Sequence, residues 1–151
     1  MLRGIDPLLS GDVLKVLDDM GHGDQLFVVD RNYPAHAAGR PVLRMGESGA
    51  ERVLAAVLSV LPLDAFVEHP LGRMEIKDDP SLTSGVQDRV LALARGHHPR
   101  PLDYGVIPRF EFYRRAHDAF AILQTLEPEP YSCFVLQKGV VYPEGLAADG
   151  S

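Results

Sequence analysis

Apolar positions near the start of the chain recur at Val13, Val16, Leu17 and Met20, the spacing of one helical face. Ser10 stands where a helix cap belongs, and Gly21 where the chain would leave the helix. Gln25 to Val29 is a short apolar run ending in Asp30, the pattern of a buried, parallel strand. Asn32-Tyr33-Pro34 opens a loop, and Val42 to Met45 forms a second short strand candidate. Ser48 to Glu51 has capping-box spacing ahead of Val53, Leu54, Val57, Leu58 and Leu61. Pro62 ends that helix. Ala65 to Glu68 and Met74 to Lys77 read as strands. Ser84 to Gln87 is a second capping-box candidate, leading into a helix with Val86, Val90, Leu91 and Ala94 on one side. Tyr104 to Ile107 is a strand candidate, and Pro108 suits the first turn of a helix running to about His117. Phe120 to Thr125 and Ser132 to Gln137 are the last strand candidates. Strands alternate with helices. The expectation is an α/β fold: a single three-layer α/β/α domain over residues 1–142 with a mainly parallel central sheet, and a flexible tail over 143–151.

Composition narrows the class. The 151 residues are 46% hydrophobic and 24% charged, with a net charge of −6. That suits one ordinary globular core. Lys and Arg are scattered, without the basic face that a nucleic-acid partner requires. The most apolar stretch, Val53 to Phe66, is broken by Ser59, Pro62 and Asp64 and is too short to span a membrane. The single cysteine, Cys133, cannot form an internal disulfide, and the first residues carry no signal-peptide pattern, so a cytoplasmic protein is expected.

The most informative stretch for chemistry is Met20-Gly21-His22-Gly23-Asp24. A histidine between two glycines has little local cover, and imidazole exchanges protons near neutral pH. Taken alone, it is a weak signal and reads more readily as a surface-turn histidine. Asp30 at a strand end could orient an imidazole or accept a hydroxyl proton, or it could close an Asx-turn. Asp64, after Leu61-Pro62-Leu63, has the same two readings. Arg109 to Ala116 mixes aromatic and cationic residues at helical spacing. Arg109 lies near the helix start, the end that cations usually avoid. Tyr131-Ser132-Cys133 opens the last strand. His69, His97, His98 and His117 have no paired metal-ligand spacing, so no metal site is expected. Neither a phosphate-cradling loop nor a serine nucleophile elbow is present in the sequence.

These residues together resemble the ribose pyranase/fucose mutarotase family. The resemblance rests on Leu14-Lys15-Val16-Leu17, Met20 to Asp24, Asp30 and Tyr33-Pro34-Ala35-His36. It continues through Leu61 to Asp64, Arg109 to Tyr113, Ala119 to Ile122 and Lys138-Gly139-Val140. It implies an aldose mutarotase without cofactors, acting on L-fucose or a related free monosaccharide. It also implies that His22 is the proton donor, with Asp64 and Tyr113 as candidate acid–base partners. The implied sugar contacts are Asp30, Asp64, Met74, Arg109, Tyr113, Tyr131, Ser132 and Cys133. Arg109 and the Phe110-Glu111-Phe112-Tyr113 run favour the fucose branch over the ribose branch. Cys133 departs from the asparagine usual in the family, exchanging an amide for a weak donor and acceptor. The resemblance further implies a homo-oligomer, a decameric ring with sites between subunits. A non-catalytic sugar-binding or transport-accessory protein of the same fold, or a ribose-type pyranase, is the alternative.

Overall fold

The computed structural model describes residues 1–143; most of the 143–151 tail lies outside the described residues. Ser10 caps the first helix, α1 (Gly11–Asp19), by accepting the Val13 N–H on its hydroxyl. Val13 and Leu17 form its buried stripe. Gly21 is not the left-handed exit residue. Met20 ends the helix in an extended conformation, and Gly23 takes the positive φ of 89° in the turn that follows.

The second helix, α2 (Ala50–Leu58), forms without the expected capping box. Its Ala50 N–H donates instead to the Glu127 carboxylate at 3.1 Å, from 77 residues away, while Glu51 pairs with Arg89. The third helix, α3 (Gly85–Arg95), is capped by Ser84, whose hydroxyl accepts the Gln87 N–H. The fourth, α4 (Arg109–Ala116), begins immediately after Pro108, which sits at the cap rather than in the first turn. A short 3-10 helix spans Ala35–Ala38.

Six strands form one sheet: β1 (Gln25–Val29), β2 (Val42–Arg44), β3 (Leu71–Met74), β4 (Gly105–Ile107), β5 (Ala121–Gln124) and β6 (Phe134–Gln137). Their order is β2-β5-β1-β6-β3-β4. β1 is parallel to β5, β5 to β2, and β3 to β4. β6 pairs antiparallel with both β1 and β3. Five strands therefore run one way, and β6, wedged between them, runs back.

Two strand expectations change. Residues 65–68 are a turn, because the Asp64 carboxylate accepts the Phe66 N–H and bends the chain there. The strand expected at Met74 to Lys77 lies earlier, at Leu71–Met74. Lys77 and Asp78 adopt left-handed angles and turn the chain where the strand was expected to continue.

Strand residues alternate between two cores. Leu26, Val28, Leu123, Phe134 and Leu136 face α1, α2 and α3. Phe27, Val29, Ile122 and Val135 face α4 and the 3-10 helix, with Phe112 at their centre. This is the α/β/α arrangement.

Candidate functional site

The turn carrying His22 is fastened from both flanks. Lys138 Nζ donates to the Leu17 and Met20 carbonyls at the end of α1. The Gly23 N–H donates to the Lys138 carbonyl, and the Lys138 N–H to that of Asp24. Asp24 closes the turn by accepting the Gly21 N–H at 2.7 Å.

His22 Nε2 lies 3.1 Å from Asp64 Oδ2; the imidazole is 48% exposed and the carboxylate side chain 3%. Burial pushes the Asp64 carboxyl up. Hydrogen bonds from the Phe66 N–H, Gln137 and His22 outweigh that and hold its pKa below the usual carboxylate range. Gln137 Nε2 donates to the same Oδ2 at 2.9 Å. Gly139 makes this possible: a Cβ there would come within 2.5 Å of the Leu63 carbonyl oxygen. Phe66, 56% exposed, sets its ring 5.7 Å from the imidazole. His98, from the loop after α3, feels the Asp64 charge. Burial and Arg100 nonetheless push its pKa down.

A second cluster surrounds Asp30. A cavity of about 190 Å³ is lined by Asp30, Asn32, Tyr33, Met74, Tyr113, Pro130, Tyr131 and Cys133. Asp30 accepts the Asn32 N–H at 3.0 Å, and the Cys133 thiol lies 3.5 Å from its other oxygen. Burial raises the Asp30 pKa against these hydrogen bonds. Burial and the neighbouring Asp30 charge also raise that of Cys133. Tyr113 packs on Tyr33 at 5.4 Å between ring centres.

The remaining expected contacts divide. Ser132 is fully buried, and its backbone N–H bonds Asp30. Arg109 is exposed at the start of α4, its guanidinium 4.7 Å from the Phe110 ring centre.

The two clusters lie at opposite ends of the sheet. His22 precedes β1 and Asp30 follows it, a separation set by a five-residue strand of roughly 17 Å. β6 repeats the division in reverse, with Cys133 before it and Lys138 after. The Asp30 cavity lies beyond the carboxyl ends of β1 and β3, where open α/β sheets collect ligands. Asp64 therefore joins His22, and Tyr113 joins Asp30.

The model of the RbsD / FucU transport protein family matches residues 3–141. The chain belongs to this family. An L-fucose mutarotase of Glaesserella parasuis is 39% identical over 141 residues, 93% of this chain and 96% of that protein. The structure of FucU from Bifidobacterium longum is similar with a TM-score of 0.86 and 36% identity, covering 93% of this chain and all of that one. A fucose mutarotase from Streptococcus pneumoniae, solved in complex with L-fucose, has a TM-score of 0.84 and 29% identity over the same shares.

Within this RbsD / FucU member, sequence reasoning missed Gln137 and Phe66 as partners of the His22–Asp64 pair. Their signal is visible only in the sheet. Gln137 ends a strand that runs against its neighbours and so returns to the His22 end. Among the described residues, no group of three or more His, Cys, Asp and Glu side chains converges as a metal site would require. No helix among them is long and apolar enough to cross a membrane.

Proposed function

We propose that this chain is a mutarotase for L-fucose or a closely related free sugar, working by acid–base opening and closure of the ring. The observation that carries this reading is a half-exposed imidazole held at 3.1 Å by a buried carboxylate. Asp64, kept ionised by its three hydrogen bonds, fixes the orientation of His22. With Nε2–H donating to Asp64, Nδ1 is left to exchange a proton with the sugar.

The chemistry needs no more than a positioned acid and base. A base removes the proton of the anomeric hydroxyl, the C1–O bond of the ring breaks, and an acid protonates the departing ring oxygen. Rotation about the C1–C2 bond and closure on the other carbonyl face return both protons and give the other anomer. His22 supplies one of the two groups, and Tyr113 is the candidate for the other. Asp30, Arg109 and the Tyr131–Cys133 segment hold hydroxyls, with Met74 as an apolar wall.

His22 and Tyr113 lie too far apart within one copy to flank one sugar. A head-to-tail arrangement would bring the His22 end of one copy to the Asp30 end of the next. Such a heterologous contact closes into a ring when the rotation allows. This supports a homo-oligomeric ring, the expected decamer among them, with sites shared between subunits. A cytoplasmic location accords with a free monosaccharide as substrate.

One observation favours a second reading, a non-catalytic sugar-binding protein. Cys133, buried against Asp30, offers a sugar hydroxyl a weaker partner than an amide.

Saturation-transfer NMR on a panel including L-fucose and D-ribose, with calorimetry alongside, separates these. The mutarotase reading predicts L-fucose anomer exchange well above the buffer rate, returning to it in His22→Ala. Exchange confined to D-ribose would establish the ribose-type alternative. Binding without exchange would establish the sugar-binding protein.

A further inference from the structure

Gln87 follows Ser84 at capping-box spacing, yet its side chain does not reach back to the helix start. Ser84 Oγ accepts the Gln87 backbone N–H at 3.1 Å, and the Gln87 side chain turns inward with 0% exposure. Its Nε2 carries two hydrogens and uses both. One goes to the Met74 carbonyl at 3.0 Å and the other to the Tyr131 carbonyl, also at 3.0 Å. The Gln87 backbone carbonyl is anchored in turn, accepting the Tyr104 hydroxyl at 2.6 Å. Tyr104 stacks on Phe134 and lies beneath the Arg73 guanidinium.

Both carbonyls that Gln87 holds belong to residues lining the Asp30 cavity, in different segments of the chain. Met74 ends β3, and Tyr131 precedes β6. Tyr131 has a φ of 63°, in the left-handed region that few residues other than glycine adopt. Such a conformation costs free energy and persists only where its surroundings over-determine it. The Gln87 amide supplies that determination from the α3 side of the sheet, behind the cavity.

We propose that Gln87 is a positioning residue for the sugar site, an amide clamp that sets the Tyr131 backbone against Met74 and thereby aims the Tyr131–Cys133 segment. This rests on the reading of the Asp30 cavity as the sugar half-site. Gln87 touches no substrate. Its loss would misplace hydroxyl contacts before it affects the proton transfers at His22.

The test compares Gln87→Leu, Gln87→Glu and Ser84→Ala in the full-length protein, with L-fucose as substrate and thermal unfolding measured alongside. Ser84→Ala removes the cap on the Gln87 backbone N–H but leaves both hydrogen bonds of the clamp amide in place. Gln87→Leu, of similar volume, is expected to raise KM about tenfold with kcat within about threefold, because misplaced binding groups cost affinity first. Gln87→Glu keeps the shape but loses donors, and is expected to shift KM in the same direction. Ser84→Ala is expected to lower the unfolding temperature with KM unchanged.

An unchanged KM in either folded Gln87 variant overturns the proposal, as does a KM rise of equal size in Ser84→Ala. Failure of both Gln87 variants to fold also overturns it, because the clamp would then be a requirement of the fold. A parent protein that exchanges no sugar overturns the reading of the cavity as well, and so is distinguished from failure of the clamp alone.

Discussion

Asp30 and Asp64 are both buried carboxylates, and their surroundings drive them in opposite directions. Asp64 has a depressed pKa, so its ionised form stabilises the fold above the unfolded value near 3.8, and that contribution is lost as pH falls through the folded value. Asp30 has a raised pKa. Its contribution is fully present below 3.8 and is lost as pH rises through the folded value, leaving a penalty at neutral pH. Asp30→Asn should therefore stabilise the protein by about 1 kcal/mol at pH 7, and by nothing below the unfolded value. Urea unfolding at both pH values checks this, and L-fucose affinity should fall in the same variant. His22→Ala should slow anomer exchange by about 10²–10⁴-fold, with Asp64→Asn intermediate because the imidazole survives without its orienting carboxylate. Cys133→Asn restores an amide beside Asp30, and should tighten sugar binding by on the order of 1 kcal/mol in calorimetry.

Two helix ends are held by side chains from distant segments, and they differ in what they serve. Glu127 caps α2, well away from His22. Glu127→Ala should cost about 1 kcal/mol in chemical denaturation and leave exchange unchanged. Lys138 binds the last carbonyls of α1 and also frames the His22 turn. Lys138→Met should cost a similar amount and slow exchange as well; equal exchange in the two variants would separate the turn from the catalysis. Such contacts mark the limit of local sequence pattern. Ser10 and Ser84 caps, the amphipathic stripes and the Gln25–Val29 run were legible, because each depends on residues a few positions apart. The Leu71–Met74 strand was not, since Gly72 and Arg73 hide a fully buried segment behind a polar pattern. The cap on α2 was illegible because its partner is 77 residues away. Of the site, His22, Asp30 and Asp64 were legible as candidates, but their partition was not. It follows from strand directions, and the reversed course of β6 is a tertiary property.

At the scale of the whole molecule, the sheet works as a spacer. It holds the His22–Asp64 pair at one end and the cavity of Asp30 and Tyr113 at the other, which under the proposed function are two halves of a shared site. The proposed shared site requires assembly for activity, so dilution below the assembly threshold should abolish exchange while each chain stays folded. The most direct test mixes two variants, His22→Ala and Asp30→Ala, each defective at a different end. They are unfolded, refolded together at equal ratio, and assayed for L-fucose anomer exchange by saturation-transfer NMR. If each site takes one end from each of two copies, random assembly leaves about a quarter of the sites with both ends intact, and the mixture regains about that fraction of the parent rate. A mixture as inactive as its two components would contradict the account.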